Sequence, residues 1–285
     1  ILAFFGHHKC MTWTIARITR VFCRRTGRRW AQFFDPWMFG ENLPEYLDRH
    51  GIDFFCYTNA CWPLVQAVEG VRGFHVVRDP RDIVVSAYYS HLHSHPTEHW
   101  PELVDFRKRL QSVSKEQGLL LEMDFRRVQF QEMAQWDYGQ PNVLELKMED
   151  LIPDMEAGFE RVFEFLGCLE AARPGFAARF GGSLAAGLNT LHGLSGGRFA
   201  PRRRIERVAP ATVRGLARAS SFSRMARRRR PRQEDARSHF RKGIAGDWKN
   251  HFTPALCSYF KHHYNDLLLK LGYETDPEWD GPATK

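Results

Sequence analysis

Short apolar runs alternate along the chain with longer stretches at helical spacing. Ile1 to Phe5 (ILAFF) is a compact apolar run that stops at Gly6; after a polar knot, Ile15, Ile18, Val21 and Phe22 recur on one helix face. The order predicted is strand, loop, helix. Asp53 to Tyr57 (DFFCY) and Gly73 to Val77 (GFHVV) repeat that order, and Asn142 to Met148 (NVLELKM) is a fourth run of the same kind. Strands separated by helices predict an α/β fold built on a parallel sheet. In such sheets ligands sit beyond the carboxyl ends of the strands, so the loops after each run are where chemistry is expected. Glu156 to Leu166 and Pro254 to Leu271 carry strong helical periodicity, the second expected to close the domain, and the apolar residues of Leu119 to Trp136 read as core.

Composition narrows the class. With 285 residues, 43% of them apolar and 26% charged, the chain can bury a full core and is not disordered over most of its length. No apolar run approaches the roughly 18 to 20 residues of a membrane-spanning helix, and no membrane partner is expected. Six cysteines without a C-x-x-C pair read as thiols in a reducing compartment, which predicts a cytoplasmic location.

The charge is uneven. Residues 171–237 hold sixteen Arg against Glu206, Glu234 and Asp235, a balance of +13, whereas the whole chain carries +8. That stretch, rich in Ala, Gly, Ser and Pro, is expected to form a lid or insertion, a solvated basic loop rather than a specific nucleic-acid site.

Three loops have the chemistry of anion sites. Gly6-His7-His8-Lys9-Cys10-Met11-Thr12-Trp13-Thr14 runs from the first strand into a helix, where backbone N–H groups, Lys9 and Thr12 suit a phosphate. It lacks the second glycine of G-x-x-x-x-G-K-[ST], which argues against a P-loop kinase. Arg78-Asp79-Pro80-Arg81-Asp82 places Asp79 as a cap and Pro80 in a first helical turn, with Arg78 at a strand tip to pair with a phosphate or, more simply, with Asp82; Ser86 follows two turns on. His239 to Asn250 sets Arg241 and Lys242 before Gly243 and Gly246.

With these motifs in this order, the chain resembles the cytosolic-type sulfotransferases that use 3′-phosphoadenosine 5′-phosphosulfate (PAPS). Arg78 to Ser86 keeps the spacing of that family's R-x-P-x-D-x-x-x-S element, and Arg241 to Lys249 matches its R-K-G-x-x-G-D-W-K loop. The resemblance implies a three-layer α/β/α, P-loop NTPase-like fold over 1–285 as one domain, and sulfuryl transfer from PAPS to a hydroxyl or amine of a small-molecule acceptor. It implies that Lys9, Cys10, Met11, Thr12, Trp13 and Thr14 hold the phosphosulfate end, with Lys9 and Thr12 catalytic and Trp13 stacking on adenine. Arg78, Ser86, Arg241, Lys242 and Gly243 would hold the 3′-phosphate, and no metal is expected.

The chain departs from the family in two loops, and in the first Trp13-Thr14 reads as the family's Thr-Trp pair in reversed order. Met11 stands where the family has Gly, and Tyr57-Thr58-Asn59 stands where its best-known branch has Lys-Thr-His, so Asn59 replaces the general base. His7, His8, Asp35 and Glu41 are the candidates to replace it. A catalytically impaired PAPS- or polyanion-binding protein is the alternative reading. His91, His93 and His95 would share one face if extended; lining the acceptor cleft or the surface is the preferred reading over a metal site. At the family's dimer element Lys249 and Thr253 fit but Pro254 and Ser258 do not, which leaves the oligomeric state open. The arginines of 171–237 raise the option of an anionic acceptor.

Overall fold

A computed structural model describes residues 1–98, 100–170, 176–195 and 202–281. Five strands, β1 (Leu2–Gly6), β2 (Trp30–Phe33), β3 (Phe54–Thr58), β4 (Arg72–Val77) and β5 (Val143–Lys147), form one sheet in the order β2-β3-β1-β4-β5. Every neighbouring pair is parallel. The helices are α1 (Thr12–Thr26), α2 (Leu43–Arg49), α3 (Trp62–Val65), α4 (Pro80–Tyr89), α5 (Pro101–Gln111), α6 (Lys115–Phe125), α7 (Arg127–Gln135), α8 (Met148–Leu151), α9 (Met155–Phe165), α10 (Phe176–Leu194), α11 (Pro210–Ala219), α12 (Phe222–Met225) and α13 (Pro254–Lys270). This is the α/β class expected, a central parallel sheet flanked by helices.

The chain divides into two compact units, each made of three separate stretches. The first (1–7, 11–77 and 137–221) holds the whole sheet. Its inner strands are buried on both faces, so β1 and β3 read as unbroken apolar runs rather than as alternating ones. Ile15, Ile18 and Phe22 of α1 pack in one core with Phe4, Phe54 and Phe74 of the strands and with Phe159, Val162 and Phe163 of α9. β2 has no counterpart among the expected strands: WAQF is a short edge strand of half-buried residues with no apolar run to reveal it.

Residues 171–175 and 196–201 of the basic stretch lie outside the described residues. Within its described part, α11 is not a solvated loop. Val213, Leu216 and Ala217 join the same core, while Arg214 and Arg218 pair with Glu160 and Glu156 of α9 at 2.6 and 2.7 Å.

The second unit (8–10, 78–136 and 222–285) is helical. The expected core stretch becomes α6 and α7, with Leu119, Met123, Phe130, Met133 and Trp136 buried. Between α4 and α5 the chain makes a π-helical turn at Ser90–Ser94, a local widening to i→i+5 bonding that is frequent at functional sites. Among the described residues no helix is long and apolar enough to cross a membrane.

Candidate functional site

The loop after β1 reaches α1 through two residues with left-handed backbone, Lys9 (φ 72°) and Met11 (φ 59°). Met11 is the N-cap of α1 and makes no side-chain cap bond. The family's glycine at this position therefore has a backbone reason that Met11 meets only with strain. Thr12 and Thr14 in the first turn are buried, whereas Trp13 is 55% exposed.

Lys9 lies in the second unit among other cations. Arg78 donates from a guanidinium nitrogen to the Lys9 carbonyl oxygen at 3.3 Å, and Lys9, Arg78 and Arg241 are all less than a tenth exposed. Burial, then repulsion from Arg78, Arg126 and Arg241, pushes the Lys9 pKa down to about 7; only Glu122 acts the other way. Such a pocket favours an anion.

Around Arg78 the expected capping is present. Asp79 accepts from the Arg81 N–H at 2.9 Å, and Pro80 opens α4. Arg78 sits 3.7 Å from Asp82, but the Asp82 oxygens accept instead from the backbone N–H groups of Gly246 and Trp248 at 2.7 and 2.8 Å. Asp82 thereby ties the loop 241–249 to α4, and among the described residues the buried Arg78 Nε has no hydrogen-bond partner. Ser86 is half-buried on the same helix.

Within that loop Arg241 and Lys242 both bond Asp247, Lys242 at 2.6 Å. Burial alone would raise the Asp247 pKa, but hydrogen bonds from His251, Lys242, Arg241 and Asn250 hold it well below the usual carboxylate range. Gly243 and Gly246 are left-handed (φ 67° and 73°), and a Cβ on Gly243 would meet the Phe222 ring at 2.5 Å. Sequence reading named Arg241, Lys242 and Gly243 but missed Asp247, which the motif itself contained.

The four base candidates differ in their surroundings. Asp35 is exposed and caps a short 3-10 turn by accepting from the Trp37 N–H at 3.2 Å, and Glu41 is exposed with φ 63°. His7, fully buried, bonds His75 between Nε2 atoms at 3.1 Å, and His75 Nδ1 meets Glu145 at 2.7 Å. Burial, reinforced by His75, keeps the His7 pKa well below its ordinary value.

His8 belongs to the second unit with Lys9. It stacks on His91 (5.2 Å, 5°) and meets His95 edge-on at 5.1 Å, while Arg126 donates to its Nδ1 at 3.1 Å. His91 Nδ1 bonds the fully buried Glu122 at 2.9 Å, whose pKa burial pushes up to about 8 against the pull of Arg126 and Lys9. His95 Nδ1 donates to the Pro96 carbonyl at 2.8 Å.

The HLHSH histidines are therefore not on one extended face. The π-helical turn brings His91 and His95 to His8, and leaves His93 exposed. Ring nitrogens of His8, His91 and His95 lie within 4.8 Å of one another, a metal-like spacing. A metal ion there would face the charges of Arg126 and Lys9, which oppose it. Burial first, then these cations, holds the pKa of all three rings below the ordinary value. Glu122 and Arg126 went unnamed from sequence, as did Trp100, whose ring meets His8 edge-on at 6.2 Å. Glu122 lies on α6 and Arg126 caps its C-terminal end, a charged pair that no local sequence signal marks as buried.

The sulfotransferase domain family matches residues 71–174 and 207–272, more than half of the chain, and the chain belongs to that family. The match includes Arg78, Ser86, Arg241 and Lys242 but not the loop around Lys9. Among solved structures, mouse sulfotransferase SULT7A1 complexed with PAP is 16% identical, aligning over 95% of this chain and 86% of that one with a TM-score of 0.50. Retinol dehydratase in complex with androsterone and inactive cofactor PAP aligns over 99% and 83% at 15% identity, with a TM-score of 0.46. No curated protein sequence matches the chain.

Proposed function

We propose that this chain transfers the sulfuryl group of PAPS to a hydroxyl or amine of a small-molecule acceptor by in-line displacement. One observation carries the reading: Lys9, Arg78 and Arg241, from three motifs far apart in sequence, are buried in one unit, and both arginines repel the Lys9 charge. That grouping fits a ligand with several phosphates, and the buried Arg78 Nε, unpaired among the described residues, is a donor suited to one of them.

PAPS supplies the activated sulfuryl group. The acceptor oxygen or nitrogen bonds to sulfur as the bond from sulfur to the 5′-phosphate oxygen breaks, leaving adenosine 3′,5′-bisphosphate (PAP) and a proton to be removed. Lys9 neutralises charge on the leaving phosphate, and Thr12 and the amides of the loop orient it; Cys10, Met11 and Thr14 shape the same turn, and Trp13 is the adenine-stacking side chain. Arg78, Ser86, Arg241, Lys242 and Gly243 anchor the 3′-phosphate, a remote handle whose binding energy positions the reacting end. Of the base candidates we assign proton acceptance to His8 within its cluster with His91 and His95, because it adjoins Lys9.

The whole chain, 1–285, acts in this reading as one sulfotransferase domain in the cytoplasm. The gap in the family match at 175–206 supports an insertion inside the basic stretch 171–237. Asn59, with left-handed backbone and its amide donating to the Phe34 carbonyl at 3.5 Å, favours the second reading, a PAPS-binding protein without transfer. Incubation with labelled PAPS and a mixed panel of phenols, alcohols and amines separates the two. Labelled product supports transfer; PAP binding without product supports the binding protein.

A further inference from the structure

Downstream of α12 the chain folds over a cavity of about 430 Å³, lined by Arg227, Arg229, Arg237, Asp235 and Ser238 among others. Its arginines have two different roles. Arg229 is part of the frame: it donates to the carbonyl oxygens of Gln233, Arg241 and Phe240 and to Ser238 Oγ, at 2.7 to 3.2 Å. It also takes the nearby carboxylate, Asp235, at 3.8 Å. Glu234, the other acid of the segment, pairs with Arg241 and Lys242. Among the described residues Arg227 and Arg237 form no ion pair, and both are exposed. The Arg237 charge is felt at His93, on the turn that carries His91 and His95.

The backbone here is held in an unusual form. Arg227, Arg228 and Arg232 all have left-handed φ (54°, 71° and 75°), a conformation that costs a non-glycine residue energy and clusters at ligand clamps. The same wall is hydrogen-bonded to the nucleotide loop: Arg232 N–H donates to the Lys242 carbonyl at 2.9 Å and Asp235 N–H to that of Arg241 at 3.0 Å.

We propose that this cavity is an anion subsite in which Arg227 and Arg237 hold a carboxylate, sulfate or phosphate group carried by the acceptor. The proposal rests on the sulfotransferase reading and fixes its substrate class: a molecule with a nucleophilic hydroxyl or amine and, apart from it, an anionic group. Arginine suits this task because its planar fork matches the oxygens of all three anions. The shared backbone bonds couple the subsite to the loop that takes the 3′-phosphate.

The test uses the full chain saturated with PAP. It is titrated by calorimetry with 4-hydroxybenzoate, 4-hydroxybenzenesulfonate and 4-hydroxyphenyl phosphate, beside phenol as the neutral probe. At least one anionic probe is expected to bind about tenfold or more tighter than phenol, with a preference that shrinks in high salt. The double variant Arg227→Ala/Arg237→Ala is expected to lose that preference while its PAP affinity stays within about twofold of the parent; both side chains are exposed, so folding is preserved. Equal binding of anionic and neutral probes, no binding of any probe, or an undiminished preference in the double variant overturns the proposal. Failure of the parent to bind PAP would instead strike the nucleotide reading, and the probe titrations without PAP still decide the subsite.

Discussion

His7 and His8 are neighbours in sequence and enter two different assemblies. His7 continues β1 into a linear buried chain, His7 to His75 to Glu145, in which each ring is bonded to the next group. His8 turns toward His91 and His95, whose Nδ1 atoms are fixed by Glu122 and Pro96, so that ring nitrogens converge on one point beside Lys9. The linear chain holds a strand end in place, whereas the convergent cluster is where the proposed function puts the acceptor's proton. Burial lowers the pKa in both; what separates them is geometry and the company of Lys9.

The widest expected contrast is between substitutions of these two residues. His8→Ala is expected to lower the transfer rate about 100-fold or more, the scale of a lost general base, with PAP affinity little changed. His7→Ala is expected instead to cost roughly 1 to 3 kcal/mol of stability by leaving His75 Nε2 without its partner, with a near-normal rate in the folded fraction. Paired denaturation and single-turnover measurements compare them, and equal rate losses would break the distinction.

Next in size is the pH dependence of Lys9. Its folded pKa of about 7 lies below the ordinary 10.5, so between those values the unfolded chain holds a proton that the folded chain lacks. Stability of the unliganded protein should therefore rise with pH across that window, the full cost of the buried ammonium being present below it. A bound anion restores the Lys9 proton, so PAP affinity should fall as pH rises through about 7, by up to about tenfold per unit. Calorimetry in two buffers of different ionisation enthalpy should show proton uptake on binding, and a flat profile would remove Lys9 from the site.

The smallest effect belongs to Met11. Met11→Gly should relieve the left-handed strain at the start of α1 and raise stability by about 1 kcal/mol, read from chemical denaturation. A loss of stability would mean that Met11 packing against the sheet core outweighs its backbone.

The same contrast shows what the sequence carried. The inner strands and the helices α9 and α13 were legible because burial writes itself as apolar runs and helical periods, and Lys9, Arg78 and Arg241 could be singled out because they sit at loop positions where anion chemistry is expected. β2 was not, since a half-buried edge strand needs no apolar run. The histidine cluster was not either: it depends on a π-helical turn and on Glu122 and Arg126 from α6 and the junction after it, partners that no local spacing announces. Alternation in HLHSH suggested three equivalent rings, and the turn selects two of them.

The central claim is a PAP site built on Lys9, Arg78 and Arg241, and calorimetric titration with PAP, adenosine 5′-phosphate and ATP tests it most directly. The account predicts that PAP binds well above the other two and that Arg78→Ala weakens it by about 2 kcal/mol or more, the scale of a charge-assisted contact. Equal affinity for all three nucleotides, or a PAP affinity indifferent to Arg78, would contradict it.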